Sequence, residues 1–350
     1  MKNSVIDSLV RGCIAHLTPY STARDEYGGE LGVFLDANES PYDNGYNRYP
    51  DPHQRRLKER LSELKGVPAE NIFIGNGSDE AIDLLFRVFC EPRVDNAVAI
   101  APSYGMYKVA AAINDIEMRE VQLGEDFALP VDELLRRADA RTKLLFLCSP
   151  NNPTGNSFPR GDMLRLADGF GGMVVVDEAY IDFSEDDGLR NEIFARPNLV
   201  VLQTLSKARA MAGLRVGLAL ADRRVVELMS MVKYPYNINV AAMRIVERLL
   251  DDPVDENVVA LKAQRDIVAA ALARFRFVGR VYPSDANFLL VRVDDADAVY
   301  DHLIGDGIIV RNRNRVKGCE GCLRITIGLE GENEKLLKSL ERYEKESIVR

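Results

Sequence analysis

The sequence predicts an α/β protein: a large, mostly parallel sheet covered by helices on both faces, then a smaller α+β domain. Three observations carry this. Residues 144–147, 173–176 and 199–202 are apolar without alternation, as strands buried on both faces are. Helical stretches separate these strands, the pattern of parallel α/β folds. Polar motifs recur just past the strand ends, where open α/β sheets place ligands.

Residues 1–45 carry turn formers at Thr18-Pro19, Gly28-Gly29, Ser40-Pro41 and Asn44-Gly45, with one strand candidate at 31–35. They read as an extended arm packing with the small domain. Asn47-Arg-Tyr-Pro-Asp-Pro52 is kinked, because each proline pushes its predecessor to an extended conformation. The pattern predicts a helix over 54–65, a strand over 71–74 and a helix over 81–89. Further strands are expected at 97–100, before 121, at 144–147, at 173–176, at 199–202 and at 216–220. A helix is expected at 162–169. These make a large domain over 46–240. Beyond it, helices at 241–251 and 254–274 lead to short strands at 277–282, 288–293, 308–311 and 323–328. Helices at 296–305 and 332–346 complete a small domain over 241–350.

Composition narrows the function. The 350 residues suffice for a sizeable core, and 47% hydrophobic with 28% charged residues is ordinary for a globular protein. A net charge of −9 argues against non-specific nucleic-acid binding. No apolar run reaches the roughly 18 residues of a membrane span. Met1-Lys-Asn-Ser-Val-Ile-Asp-Ser8 has no apolar signal core, so the five cysteines read as free thiols in a reducing cytoplasm. Cys319 and Cys322 are the one close pair. With three histidines in the chain and no second cysteine pair, no metal site is expected.

The chemistry gathers at Leu199-Val-Val-Leu-Gln-Thr-Leu-Ser-Lys207. A lysine delivered by the end of a buried strand can be held in a dry pocket, where a lowered pKa makes its amine a nucleophile for a carbonyl cofactor. Thr204, Ser206 and Arg215 are donors suited to a phosphate beside it. On its own, a loop lysine is the commoner case. Gly75-Asn-Gly-Ser-Asp-Glu80 lies between a strand and a helix. It reads either as an anion cup at the helix N-terminus or as a plain cap by Ser78 or Asp79. The third glycine of a dinucleotide fingerprint is missing at Glu80, which disfavours a nicotinamide dehydrogenase. Asp177 reads either as a turn cap or as a carboxylate held against a cationic ring nitrogen. A magnesium-binding role would need a phosphate-binding Gly-Lys-Ser/Thr loop, which the sequence lacks.

Taken in order, Asn47-Arg-Tyr-Pro50, Gly75-Asn-Gly-Ser-Asp-Glu80, Ser149-Pro-Asn-Asn-Pro-Thr-Gly155, Val176-Asp-Glu-Ala-Tyr180, Thr204-Leu-Ser-Lys207 and Ala212-Gly-Leu-Arg215 form a set. This set resembles the fold-type-I pyridoxal-phosphate-dependent aminotransferases over about residues 20–328. Leu17-Thr-Pro-Tyr20, Ile308-Ile-Val-Arg311 and Cys322-Leu-Arg-Ile-Thr-Ile-Gly328 are most similar to the histidinol-phosphate aminotransferase branch. The resemblance implies a homodimeric enzyme of histidine biosynthesis that uses pyridoxal 5'-phosphate. Its small-molecule substrates would be L-histidinol phosphate and L-glutamate or 2-oxoglutarate. Lys207 would link the cofactor and move the proton between the substrate Cα and the cofactor C4′. Asp177 would pair with the ring nitrogen, Asn152 and Tyr180 with the ring oxygen, and Tyr104 would stack on the ring. Ser78, Asp79 through its backbone, Thr204, Ser206 and Arg215 would hold the cofactor phosphate, with Tyr49 reaching it from the neighbouring subunit. Arg311 and Arg324 would bind the substrate's anionic group, with Tyr20 and Asn287 nearby, and Arg313 and Arg315 would add positive potential.

Two rivals share the scaffold: an aromatic amino-acid aminotransferase and a decarboxylase of phosphorylated amino acids. A ligand-sensing half of a transcription regulator would need a DNA-binding domain, for which no room is expected before Tyr20. The family usually has an aromatic residue where Arg209 stands, a departure the sequence alone does not explain.

Overall fold

The computed structural model describes residues 5–22 and 32–349. Seven strands form the large sheet: β1 (Ile72–Asn76), β2 (Asn96–Ala101), β3 (Glu117–Gln122), β4 (Thr142–Cys148), β5 (Met173–Asp177), β6 (Leu199–Thr204) and β7 (Val216–Ala221). Their order is β1-β7-β6-β5-β4-β2-β3; β7 runs antiparallel to both neighbours and every other pairing is parallel.

The two-residue period of the strands feeds two separate cores. Val174, Val176, Leu199 and Val201 face one side, packed with Leu57, Leu61, Met163 and Val246. Met173, Val175, Val200 and Leu202 face the other, packed with Phe86, Phe89, Tyr107 and Val225. Both faces are therefore dry, which is why the strands read as unbroken apolar runs. The same alternation sends Asp177 and Glu178 to opposite faces.

The smaller sheet is antiparallel, ordered β10-β11-β9-β8, from β8 (Val278–Val281), β9 (Phe288–Val293), β10 (Arg311–Asn312) and β11 (Cys322–Thr326). One face buries Leu289, Val291, Leu323 and Ile325 against the helices Asp255–Leu272, Ala296–Gly305 and Glu330–Val349, through Val268, Leu303 and Leu340. Cys319 and Cys322 are buried beside Tyr282 and Leu290. Burial pushes the Cys319 thiol up to about 12. Among the described residues, no helix is long and apolar enough to cross a membrane, and no group of three or more His, Cys, Asp or Glu is placed to hold a metal ion.

The structure corrects several expectations. The chain does not start as an extended arm on the small domain. Helices Val5–Leu9 and Gly12–Ala15 lie on the large sheet's helices: Ile6 and Leu9 are buried with Phe89 and Val225, and Arg224 pairs with Asp7 at 2.8 Å. Of the strand expected at 31–35, Leu31 lies outside the described residues, as does the Gly28-Gly29 turn, and residues 32–35 are not in a strand. The helix Val240–Leu249 buries Ala242, Met243 and Val246 in the large sheet's core, past the break expected at 240. A helix at Arg223–Val232, not anticipated, is capped by Asp222, which accepts from Arg224 N–H. The strand expected at 308–311 shrinks to Arg311–Asn312, because Ile308 N–H is taken by Leu303 C=O at the preceding helix end.

Candidate active site

The carboxyl ends of β2, β4, β5 and β6 open onto one cavity of about 730 Å³. Ser78, Asp79, Tyr104, Asn152, Asp177, Tyr180, Thr204, Ser206, Lys207, Arg215, Arg311 and Arg324 all line it. Residues from eight separate segments thus converge: six lie at one edge of the large sheet, where a mostly parallel sheet collects its strand-end loops, and Arg311 and Arg324 come from the small sheet.

One end of the cavity is an anion cradle. The helix Ser78–Phe89 begins there, and no side chain caps its first turn, so its N–H groups and dipole stay directed at the cavity. Thr204 Oγ1 donates to Ser206 Oγ at 2.9 Å and accepts from Ser206 N–H at 3.1 Å, which fixes both hydroxyls. Arg215, in the left-handed region at φ 55°, accepts from Gly77 N–H through its carbonyl at 2.8 Å. Its guanidinium stands 3.4 Å from Asp79 Oδ2, while Tyr104 Oη donates to Asp79 Oδ1 at 3.0 Å. The Asp79 side chain therefore organises the cradle's cation and its flanking ring, a part the backbone reading had not given it. The cradle is close-packed: a Cβ on Gly217 would stand 2.1 Å from Ser78 N.

The floor is Asp177. Its carboxylate is buried, accepting from Tyr107 Oη at 2.8 Å and from Ala179 N–H at 3.0 Å. Burial raises its pKa to about 6, and those two donors pull the other way. Lys207 stands above, with Nζ 5.4 Å from the Tyr180 ring centroid. It is open to the cavity rather than sealed in a dry pocket. Its amine is still pushed below its ordinary value, first by desolvation and then by the Arg324 charge. Asn152 Nδ2 donates to Tyr180 Oη at 3.5 Å, and Asn152 Oδ1 accepts from Arg324 Nη1.

Three expected residues lie outside the cavity. Tyr20 is 76% exposed and does not line it. Asn287 uses its carbonyl to accept from Ile327 N–H at 2.9 Å and does not reach the cavity wall. Tyr49 stacks on Tyr236 with centroids 4.5 Å apart, beside a second hollow also lined by Tyr46 and Pro50. The sequence assigns no role to Tyr107, which lies under Asp177, and marks Arg313 only as added positive potential, whereas Arg313 lines the cavity with Arg311 and Arg324 and Arg315 does not. The spacing Arg311-x-Arg313 was the available signal for Arg313, since strand alternation puts both on one face; Tyr104 precedes the helix Met106–Ile113, so no period ties Tyr107 to it. Arg209 Nη1 donates to Leu250 C=O at 3.4 Å, at the end of the helix Val240–Leu249, where a cation is favoured.

Residues 33–340 match the family model described as aminotransferase class I and II. A histidinol-phosphate aminotransferase of Parabacteroides distasonis is 50% identical over 338 residues, spanning 96% of this chain and 98% of that protein. One of Bacteroides fragilis is 49% identical over 342 residues, spanning 97% and 99%. The solved structure of the histidinol-phosphate aminotransferase from Clostridium acetobutylicum matches with a TM-score of 0.79 at 24% identity, over 85% of this chain and 91% of that one. The enzyme from Sinorhizobium meliloti, solved in complex with pyridoxal-5'-phosphate, matches with a TM-score of 0.78 at 23% identity, over 85% and 83%.

Proposed function

The chain belongs to the aminotransferase class I and II family, and from that premise we propose that it transfers an amino group between two substrate pairs, L-glutamate with 2-oxoglutarate and L-histidinol phosphate with imidazole-acetol phosphate. This is a step of L-histidine biosynthesis. It is a pyridoxal-phosphate-dependent transaminase with the fold-type-I architecture. The observation that carries the reading is one cavity holding an uncapped helix N-terminus, a buried carboxylate, a lysine and a cluster of arginines.

The residues fit pyridoxal 5'-phosphate on chemical grounds. The cradle of Ser78, Thr204, Ser206 and Arg215 supplies hydroxyl, guanidinium and backbone donors for a phosphate. Gly77 and Gly217 keep the approach clear where a Cβ would collide. When bound, the cofactor would supply an electron-accepting ring for the pair left as the substrate Cα–H bond breaks. Asp177 holds the proton on the ring nitrogen. Lys207 takes the proton from Cα and returns it to C4′. Asn152 and Tyr180 would hold the ring oxygen, and Tyr104 would cover the ring face. Arg311 and Arg324 hold the substrate's anionic group: the phosphate of histidinol phosphate in one half-reaction and a carboxylate of glutamate in the other.

The same reading makes the working unit a cytoplasmic homodimer. Tyr49, half-exposed and outside its own chain's cavity, would serve the second copy's cofactor phosphate. Tyr20 and Asn287 do not line the described cavity and stay candidates for an assembled, loaded enzyme.

The test is the absorption spectrum of the purified protein loaded with pyridoxal 5'-phosphate. Addition of L-histidinol phosphate without a keto acid is expected to convert the band of the lysine-linked cofactor to that of pyridoxamine phosphate. Phenylalanine and tyrosine are expected to leave it unchanged, and Lys207→Ala is expected to lack the band. A response to the aromatic amino acids alone would overturn the substrate, and release of carbon dioxide would overturn the reaction.

A further inference from the structure

Arg311, Arg313 and Arg324 form a cationic wall that no ion pair among the described residues balances. Arg311 and Arg324 are directly opposed in the antiparallel β10–β11 pair. Arg313 continues that pairing, its N–H donating to Cys322 C=O at 2.9 Å, and lies two residues beyond Arg311. Strand alternation puts all three on one face, and all three line the cavity. The other face is accounted for: Asn312 donates to Asp297 at 2.6 Å, and Leu323 and Ile325 enter the small domain's core.

Among the described residues, no carboxylate lies within ion-pair distance of any of the three. Arg324 has Nη1 on Asn152 Oδ1 and its guanidinium carbon 5.3 Å from the Phe288 ring centroid. The Nε atoms of Arg313 and Arg324 are both buried without a partner, which in a folded protein asks for an explanation. Burial, then Arg324, then Arg311 push the Arg313 pKa down to about 10. Three like charges held together with donors left over describe a receptor for an anion of more than one charge.

Arg324 is tied through Asn152 to the middle of the cavity, whereas Arg313 has no such tie. Resting on the function proposed above, we infer that Arg313 is a specificity-determining residue that binds the phosphoryl group of a phosphate monoester dianion and makes no comparable contact with a carboxylate substrate. Arg311 and Arg324 serve both co-substrates, and Arg313 reads the second negative charge that only the phosphorylated one brings.

The experiment compares the cofactor-loaded wild type with Arg313→Gln, Arg313→Lys and Arg315→Gln. Arg315 is exposed and does not line the cavity, so its variant removes the same net charge elsewhere. Spectroscopic half-reactions give KM for L-histidinol phosphate and for L-glutamate, and inorganic phosphate is titrated as a competitor of glutamate. Arg313→Gln is expected to raise KM for histidinol phosphate, and the inhibition constant of phosphate, by roughly 10- to 100-fold, the loss of a charge-assisted contact. KM for glutamate is expected to move less than about threefold, which also reports an intact fold. Arg313→Lys is expected to recover part of the loss, and Arg315→Gln to resemble wild type. Equal losses for both substrates, equal losses in Arg313→Gln and Arg315→Gln, or no loss would each overturn the role of Arg313 while the transaminase reading stands. A wild type that converts glutamate but neither converts histidinol phosphate nor binds phosphate overturns the proposed substrate, and this inference with it.

Discussion

The phenolic hydroxyl of Tyr107, buried beneath the cavity floor, donates to the buried Asp177 Oδ2 at 2.8 Å. Tyr107 cannot turn away, because its ring stacks on Phe146 at 4.9 Å and meets Tyr104 edge-on at 5.6 Å. Desolvation favours the protonated carboxyl and brings Asp177 to about 6, while the Tyr107 donor favours the ionised form. Loss of that donor therefore raises the pKa further.

Tyr107→Phe keeps the ring and removes the donor. A hydrogen bond to a charged group is worth about 1.5–3 kcal/mol, which corresponds to a rise of about one to two pH units. The acid limb of cofactor affinity, measured by titrating the protein with pyridoxal 5'-phosphate from pH 5 to 8, is expected to move upward by about that much. Affinity at pH 8 should stay near wild type. An unmoved acid limb would mean that Tyr107 only fills space.

Gly217 supports a second prediction. It sits in β7 where the strand passes under the first turn of the helix Ser78–Phe89, and an added Cβ would meet Ser78 N at 2.1 Å and Gly77 C at 2.3 Å. Both are backbone atoms and cannot swing aside. Gly217→Ala is expected to cost about 1–3 kcal/mol in stability and to weaken cofactor binding by tilting the helix start. Gly213→Ala, where nothing lies within 4 Å, is the control. Calorimetry and cofactor titration on both variants check this, and equal behaviour of the two would refute the steric account.

Glu178 titrates on the opposite face of β5 from Asp177. It accepts from Gln203 Nε2 at 2.9 Å and from Leu189 N–H at 2.6 Å, while Gln203 Oε1 has no partner. Burial raises its pKa from 4.5 to about 7. The folded state thus favours the proton: the stabilising contribution is complete below about pH 4.5 and is lost as pH rises through about 7. Glu178→Gln keeps an acceptor for Leu189 and offers an amide donor to Gln203 Oε1. Relative to wild type, the apoprotein variant is expected to gain about 1–3 kcal/mol at pH 8 and little at pH 4.5. Thermal melts at the two pH values check it, and a lower melting temperature at pH 8 would contradict the sign.

What was legible in the sequence follows from where the physics is local. Residues buried on both faces leave uninterrupted apolar runs, so the large sheet's strands stood out, and the polar loops at their ends marked the cavity. Asp177 and Lys207 were legible for that reason. Tyr107 was not, because a core tyrosine and a tyrosine under a carboxylate have the same local pattern. Arg209 was opaque because its partner, Leu250 C=O, is 41 residues away. The short opening helices were missed because five and four residues carry little periodicity, and what holds them is tertiary: Ile6 and Leu9 buried in the core with Phe89 and Val225, and the Asp7–Arg224 pair. Tyr20 and Asn287 entered by resemblance alone, and the single chain gives them no place on the cavity wall.

Arg324 leads to the last prediction. It faces Arg311 across the strand pair and donates through Nη1 to Asn152 Oδ1, so one guanidinium joins the substrate end of the cavity to the residue proposed to hold the ring oxygen. A shared anion site requires both co-substrates to use it. Arg324→Ala is expected to raise KM for L-glutamate and for L-histidinol phosphate together, each by roughly 10- to 100-fold, the loss of a bidentate charge-assisted contact. Removing the Arg324 charge also lifts one of the influences that depress Lys207, so the Lys207 amine should titrate higher in the variant. In the loaded protein the same charge faces the imine nitrogen that Nζ becomes, and the pH dependence of the lysine-linked cofactor's absorbance is expected to shift in the same direction without any substrate present. Weakening of one co-substrate alone would break the shared-site argument, and an unshifted titration would separate Arg324 from Lys207 electrostatically.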